Sequence, residues 1–175
     1  MMSDIWFISD THFFHSNMLK FLDAEGKRFR PFNYVEEMNE LIVKNWNDRI
    51  RPQDHVWHLG DVTWRYDGPF NSLMSRLQGH KRMLLGNHDK LRAGGGSLLR
   101  WFQKIELWRG FKEHNFTCSH IPLRLDSLRD GAFNVHGHIH QNMLADPHYI
   151  NVCVEHTNWG PVHLDEIIRI IKERG

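Results

Sequence analysis

Five times along this chain a short apolar run ends in Asp, Asn or His. The runs are Asp4–Ser9 (DIWFIS), His55–Leu59 (HVWHL), Lys81–Leu85 (KRMLL), Phe116–Ser119 (FTCS) and Phe133–His136 (FNVH). Each is short and rich in β-branched, aromatic or other apolar residues, so each reads as a strand. Ile5, Trp6, Phe7 and Ile8 are apolar without alternation, which suits a central strand buried on both faces. The residues just beyond the runs are equally regular: Asp10-Thr11-His12, Gly60-Asp61, Gly86-Asn87-His88-Asp89, His120, and Gly137-His138-Ile139-His140. In sheets of this kind ligands gather beyond the carboxyl ends of the strands. The chain must therefore fold so that several polar strand ends share one rim.

The intervening sequence supplies the helices. Val35, Met38, Leu41, Ile42, Trp46 and Ile50 form one apolar stripe between Asn33 and Ile50, at helical spacing. Asn33 and Glu36 are placed as a capping box, and Pro52 stops the helix. Further helices are expected over Pro69–Leu77, Ser97–Gln103 and Asp165–Glu173, and another strand over Tyr149–Val154. Ala93-Gly94-Gly95-Gly96 reads as a flexible loop. The order βαβαβ, then β-rich sequence and a last helix, predicts an α/β fold: a mixed sheet, or two packed sheets flanked by helices. The length, 175 residues, fits one domain over residues 1–175.

The residue types at the strand ends are carboxylate, imidazole and one amide. Such mixed nitrogen and oxygen ligation, without thiolate, suits Mn, Zn, Fe, Ni or Co better than Mg or Ca. Asp10 with His12, and His138 with His140, stand two residues apart, so each pair can face one site from extended chain. The chain has 14 histidines, which is suggestive only because of this spacing. Taken singly, each piece is also an ordinary turn, cap or polar loop.

Together and in this order, the five pieces resemble the calcineurin-like metallophosphoesterases, whose pattern is D-x-H, G-D, G-N-H-[DE], an isolated His, and G-H-x-H. The resemblance spans residues 10 to 140 and implies a two-sheet sandwich flanked by helices in four layers. It implies one divalent ion on Asp10, His12, Asp61 and His140, and a second on Asp61, Asn87, His120 and His138, with Asp61 bridging. His88 would lie outside the ligand set and assist the leaving oxygen, and Asp89 would orient His88. The implied reaction is hydrolysis of a phosphate ester, by in-line attack of hydroxide shared between the two ions.

Departures from the pattern narrow the choice. The phosphoprotein phosphatases carry G-D-x-x-D-R-G, whereas Trp64 and Tyr66 stand here in place of its second Asp and last Gly. Arg65 matches the Arg of that motif and is a candidate phosphate contact. His15 is a candidate wall of the substrate pocket, against the alternative of a surface residue at a helix start. Trp64 or Tyr66 can stack on a base. The chain looks like the small bacterial and phage members, and the segment 151–167 resembles their closing sequence. Without a cap-sized insertion, an open site suits phosphodiesters and small phosphate esters or nucleotides.

Two other readings stay open. One is an enzyme of nucleic acid, a nuclease or a remover of cyclic or terminal phosphates, with Arg65, Lys81, Arg82, Lys90 and Arg92 as its basic groove. The other is a non-catalytic scaffold on the same fold. A net charge of +1 gives no strong overall field to recruit polyanions or membrane. Cys118 and Cys153 read as reduced core residues. No signal peptide and no apolar run of the ~20 residues that span a bilayer are visible, so a cytoplasmic protein is expected.

Overall fold

The structure is a computed structural model that describes residues 3–23, 25–93 and 96–175. In chain order its elements are β1 (Ile5–Ile8), α1 (Val35–Arg49), β2 (His55–His58), α2 (Gly68–Arg76), β3 (His80–Leu84), β4 (Arg92–Ala93), β5 (Gly96–Ser97), β6 (Ile105–Glu106), β7 (Trp108–Phe111), β8 (Phe116–Ser119), β9 (Phe133–His136), β10 (Tyr149–Asn151), β11 (Val162–His163) and α3 (Leu164–Arg174). One sheet has the order β11-β1-β2-β3-β6 and the other β10-β9-β8-β7. Both are parallel with one antiparallel edge: β11 runs against β1, and β7 against β8. The fold is thus two packed mixed sheets with flanking helices, as the chain's pattern implies.

Side-chain alternation decides what each face covers. Phe7, Trp57 and Leu84 point from the first sheet toward Phe116, Cys118, Phe133, Val135 and Ile150 of the second, and Ile167 of α3 joins this cluster. The neighbouring residues Ile8, Val56 and Met83 face the other way, against Met38, Ile42 and Trp46 of α1 and Phe70, Leu73 and Met74 of α2. Strands buried on both faces need continuous apolar sequence, which is why these runs lack alternation.

Helix α1 begins one residue later than its sequence suggests. Tyr34 is the N-cap, and Glu37, not Glu36, reaches back to accept the Asn33 N–H at 3.1 Å. The Ser97–Gln103 segment is only a 3₁₀ turn over Leu98–Arg100. The glycine-rich segment is flanked by a small antiparallel ribbon of β4 and β5; Gly94 and Gly95 lie outside the described residues. Both cysteines are buried and unbridged. No described helix is long and apolar enough to cross a membrane.

The carboxyl ends of the two sheets are laced together. The Ser9 N–H donates to Val152 O at 3.1 Å and the Val154 N–H donates to Ser9 O at 3.2 Å. The end of β1 is thereby fixed against the chain just beyond β10. Parallel pairing of β1, β2 and β3 brings 9–12, 59–61 and 85–88 to one rim, and β8 and β9 deliver 120 and 137–140 to it.

Candidate metal centre

The seven side chains expected as ligands meet at this rim. His12 and His140 stand with ring centroids 5.3 Å apart, and His120 and His138 with theirs 5.1 Å apart. Between the two imidazole pairs lie the carboxylates. Asp61 Oδ2 is 3.5 Å from His12 Nε2 and 3.5 Å from His120 Nε2. Asp10 Oδ1 is 3.7 Å from His12 Nε2. Asn87 Oδ1 completes the second group, 2.8 Å from His120 Nε2 and 2.9 Å from His138 Nδ1.

Backbone conformation aims these groups. Asp10, His12, Asp61, His138 and His140 all have φ between 45° and 71°, in the left-handed region that non-glycine residues rarely adopt. Five of the seven candidate ligands sit in strained backbone, which persists only where the surroundings hold it. The motif glycines serve mainly close approach. A Cβ on Gly86 would lie 2.2 Å from Asp61 Oδ1, and one on Gly137 would lie 2.0 Å from Ser9 Oγ. Neither has positive φ; Gly60, at φ 105°, combines the turn with the close approach.

Buried polar atoms without partners show what the site is built to hold. Asp10 Oδ2 accepts from Ser9 Oγ (2.6 Å), His138 N–H (2.8 Å) and Cys153 Sγ (3.2 Å). Its Oδ1 is buried with no partner among the described residues, and so are both ring nitrogens of His12. His120 Nδ1 faces the Leu59 carbonyl at 2.9 Å, so that nitrogen carries the hydrogen. Its Nε2 then faces two acceptors, Asn87 Oδ1 and Asp61 Oδ2. Acceptors turned toward one another need a cation between them. Without a metal that cation is a proton: burial opposes a charged His120, but Asp61 and Asp10 outweigh it and raise the pKa. Burial likewise pushes Asp10 up, yet the surrounding histidines hold it well below the usual carboxylate range. The donor set fits two divalent ions. Ligand atoms lie within 4.8 Å of one another in three groups, Asp10 with His12 and His140, Asp10 with Asp61 and His120, and His140 with Cys153 and Glu155.

Several supporting residues were not legible in the motifs. Glu155 Oε1 lies 3.2 Å from His140 Nδ1, so a hydrogen on Nδ1 leaves Nε2 bare toward the ions. Arg30, fully buried, grips Glu155 at 2.8 Å and also donates to the carbonyls of Asp10 (2.6 Å) and Thr11 (3.0 Å). His58 joins two strand ends: its Nε2 is 2.9 Å from Thr11 Oγ1, and its Nδ1 accepts from the Gly60 N–H. The Cys153 thiol is buried, which pushes its pKa well above the usual value, so it serves as a donor to Asp10 rather than as a thiolate.

The expected substrate-side residues divide. His88 is exposed, with its N–H donating to Asp61 Oδ1 at 2.9 Å and its ring 5.7 Å from that of His12. Asp89 does not orient His88: its oxygens accept the backbone N–H groups of Asp61 (2.8 Å), Val62 (2.9 Å) and Gly86 (2.9 Å), tying the second strand end to the third. Arg65 is held by Asp67 on the surface, so its guanidinium is already engaged. Tyr66 is buried, with its hydroxyl accepting the Lys90 N–H, and cannot stack on a substrate. His15 is a buried residue, not a surface one. It lies beside His12, and burial lowers its pKa to about 4, helped by His12 and His88. A cavity of about 800 Å³ lies between β7, β8 and the 123–132 segment, and none of these residues lines it.

A sandwich whose strand ends converge on two imidazole pairs and a shared carboxylate defines a class, the hydrolases that hold divalent ions at a sheet rim. The model of the calcineurin-like phosphoesterases matches residues 3–172. Among relatives, an uncharacterised protein of Methanocaldococcus jannaschii is 35% identical, over 98% of this chain and 93% of its own length. The Gene 66 protein of Mycobacterium phage D29 is 32% identical over 98% of each chain. A protein of unknown function from Aquifex aeolicus has the same fold, with a TM-score of 0.75 at 24% identity, covering 97% of this chain and 100% of that one. The chain belongs to the calcineurin-like phosphoesterase family, and its class is that of metal-dependent phosphoesterases.

Proposed function

We propose that this protein hydrolyses phosphodiesters at a two-ion centre, with His88 assisting the leaving group. One ion would be held by Asp10, His12, Asp61 and His140, the other by Asp61, Asn87, His120 and His138. Bound there, such ions supply Lewis acidity and a water activated for attack. The observation that carries the reading is Asp61 Oδ2, at 3.5 Å from an imidazole of each pair, within reach of ions held by either pair.

The chain's own residues do the rest. Asp10 is locked by three donors so that one oxygen alone faces the site. In hydrolysis the oxygen of water joins phosphorus, the bond to the ester oxygen breaks, and that oxygen takes up a proton. His88, outside the ligand set and open to solvent, is placed to give it. With Asn87 and His88 exposed and His138 and His140 half-buried, the rim is open enough for an ester substituted on both sides. A small diester or nucleotide is favoured over a polymer. Lys81, named for a basic groove, spends its ammonium on the Leu77 and Gly79 carbonyls near the start of β3, at the far end of the strand from the rim.

The test is to strip the protein of metal, add Mn, Zn, Ni or Mg separately, and assay monoesters, diesters and cyclic nucleotides. Diester turnover restored by a nitrogen-preferring ion is expected. Turnover of monoesters alone would remove the diester assignment, and no turnover with any ion would favour the non-catalytic scaffold. His88→Ala should lower kcat by about 10²-fold or more with metal content unchanged. Loss of metal instead would put His88 among the ligands.

A further inference from the structure

Four aromatic rings close on one another beside the ion-binding groups. His15 lies 5.4 Å from His12, Trp64 lies 4.1 Å from His15, His88 lies 5.7 Å from Trp64, and His12 lies 5.7 Å from His88, centroid to centroid. The His15–Trp64 contact is a parallel stack with the planes only 6° apart. Its members differ sharply in burial: His15 is 8% exposed and Trp64 is 52% exposed. One face of the indole is thus seated on a buried ring, and much of the residue remains open to solvent.

The backbone presents Trp64 firmly. Phe13 and Thr63 form a parallel bridge. The Trp64 N–H donates to Phe13 O at 2.9 Å, and the Phe13 N–H donates to Val62 O at 2.9 Å. The segment after the second strand end is therefore clamped to the segment after the first. An exposed tryptophan held in this way has already lost the conformational freedom that binding would otherwise remove. It also stands next to His88, the group placed on the leaving-group side.

Given the phosphodiesterase reading, on which this rests, we infer that Trp64, backed by His15, is a stacking platform for the leaving group, and that the preferred substrates are phosphodiesters whose leaving group carries a flat aromatic ring such as a nucleobase. Trp64 acts by positioning; it takes no part in the bond changes. A planar ring lying on the indole sets its ester oxygen toward His88. His15 keeps the indole from turning inward, as a face-to-face ring contact resists rotation of either partner.

The experiment compares Trp64→Ala, Trp64→Phe and the wild type on two diesters of matched charge, one with a nucleoside leaving group and one with a small alkyl leaving group. Base–aromatic stacking is worth about 1–3 kcal/mol. Trp64→Ala should therefore lower kcat/KM for the nucleoside ester roughly tenfold or more, mainly through KM, and change the alkyl ester little. Trp64→Phe should keep most of the preference. Metal content, measured on the same samples, should not move. Equal losses on both esters, or no loss on either, would overturn the platform. The alkyl ester separates the two readings: wild-type turnover of it without discrimination by Trp64→Ala sinks only the platform, whereas no turnover of any ester sinks the phosphoesterase reading itself.

Discussion

At the scale of single residues, the candidate ligands are legible because Asp, His and Asn stand where an apolar run stops, and because the five pieces in that order resemble a known family pattern. Their supports are not. Glu155 and Arg30 are 125 positions apart in the chain, and neither follows a strand in a way that marks it. A carboxylate that receives the hydrogen of a ligating imidazole typically strengthens metal binding 10–100-fold. Glu155→Gln is accordingly expected to weaken one ion by about that factor and leave the other nearly unaffected. Metal titration of the variant, read by bound-ion stoichiometry, checks this. Equal weakening of both ions, or of neither, would show that Glu155 only packs. Asp89 shows the opposite failure. Adjacency to His88 suggests contact, yet its carboxylate turns to the backbone N–H groups of Asp61, Val62 and Gly86, whose hydrogen bonds it satisfies.

At the scale of elements, β8 and β9 have the bounds their apolar runs imply, Phe116–Ser119 and Phe133–His136. Strands β6 and β11 are not legible in the sequence because two residues carry no periodicity. Nor is strand β7, because it is an edge with Gly110 and an exposed Trp108, so pairing with β8 rather than local pattern makes it a strand. The end of β2 carries a titration with a definite sign. His58 must be neutral to accept the Gly60 N–H while reaching Thr11, and burial lowers its pKa from 6.5 to about 3. The unfolded chain therefore takes up a proton there between those values while the folded chain does not. This part of the stability is complete above pH 6.5 and is lost toward pH 3, at up to about 1.4 kcal/mol per pH unit. Urea unfolding of the metal-free protein at pH 7.5, 5.5 and 4.5 should show the loss. His58→Gln should be less sensitive to pH over that range. Equal slopes for the two proteins would remove His58 from the acid sensitivity.

At the scale of the whole molecule, the rim unites residues 10 through 140 and holds five candidate ligands in left-handed backbone. Ions that bind only the folded chain stabilise it by mass action, about 2.7 kcal/mol at a hundredfold excess over Kd. For a domain of this length that is roughly 5–10 °C in Tm. Chelator-treated protein should melt lower than reloaded protein by at least that margin; identical melting curves with ions demonstrably bound would argue against it. The candidate ligands lie on five short stretches, and the long intervals of chain between these stretches contribute none of them. His15, Trp64 and His88 rise from those intervals or from the turn itself to meet whatever lies above the ions. Scaffold and periphery are therefore separable. Under the platform proposal, Trp64 is the position free to vary without touching a candidate ligand, so ester preference and ion binding would be tuned on separate residues.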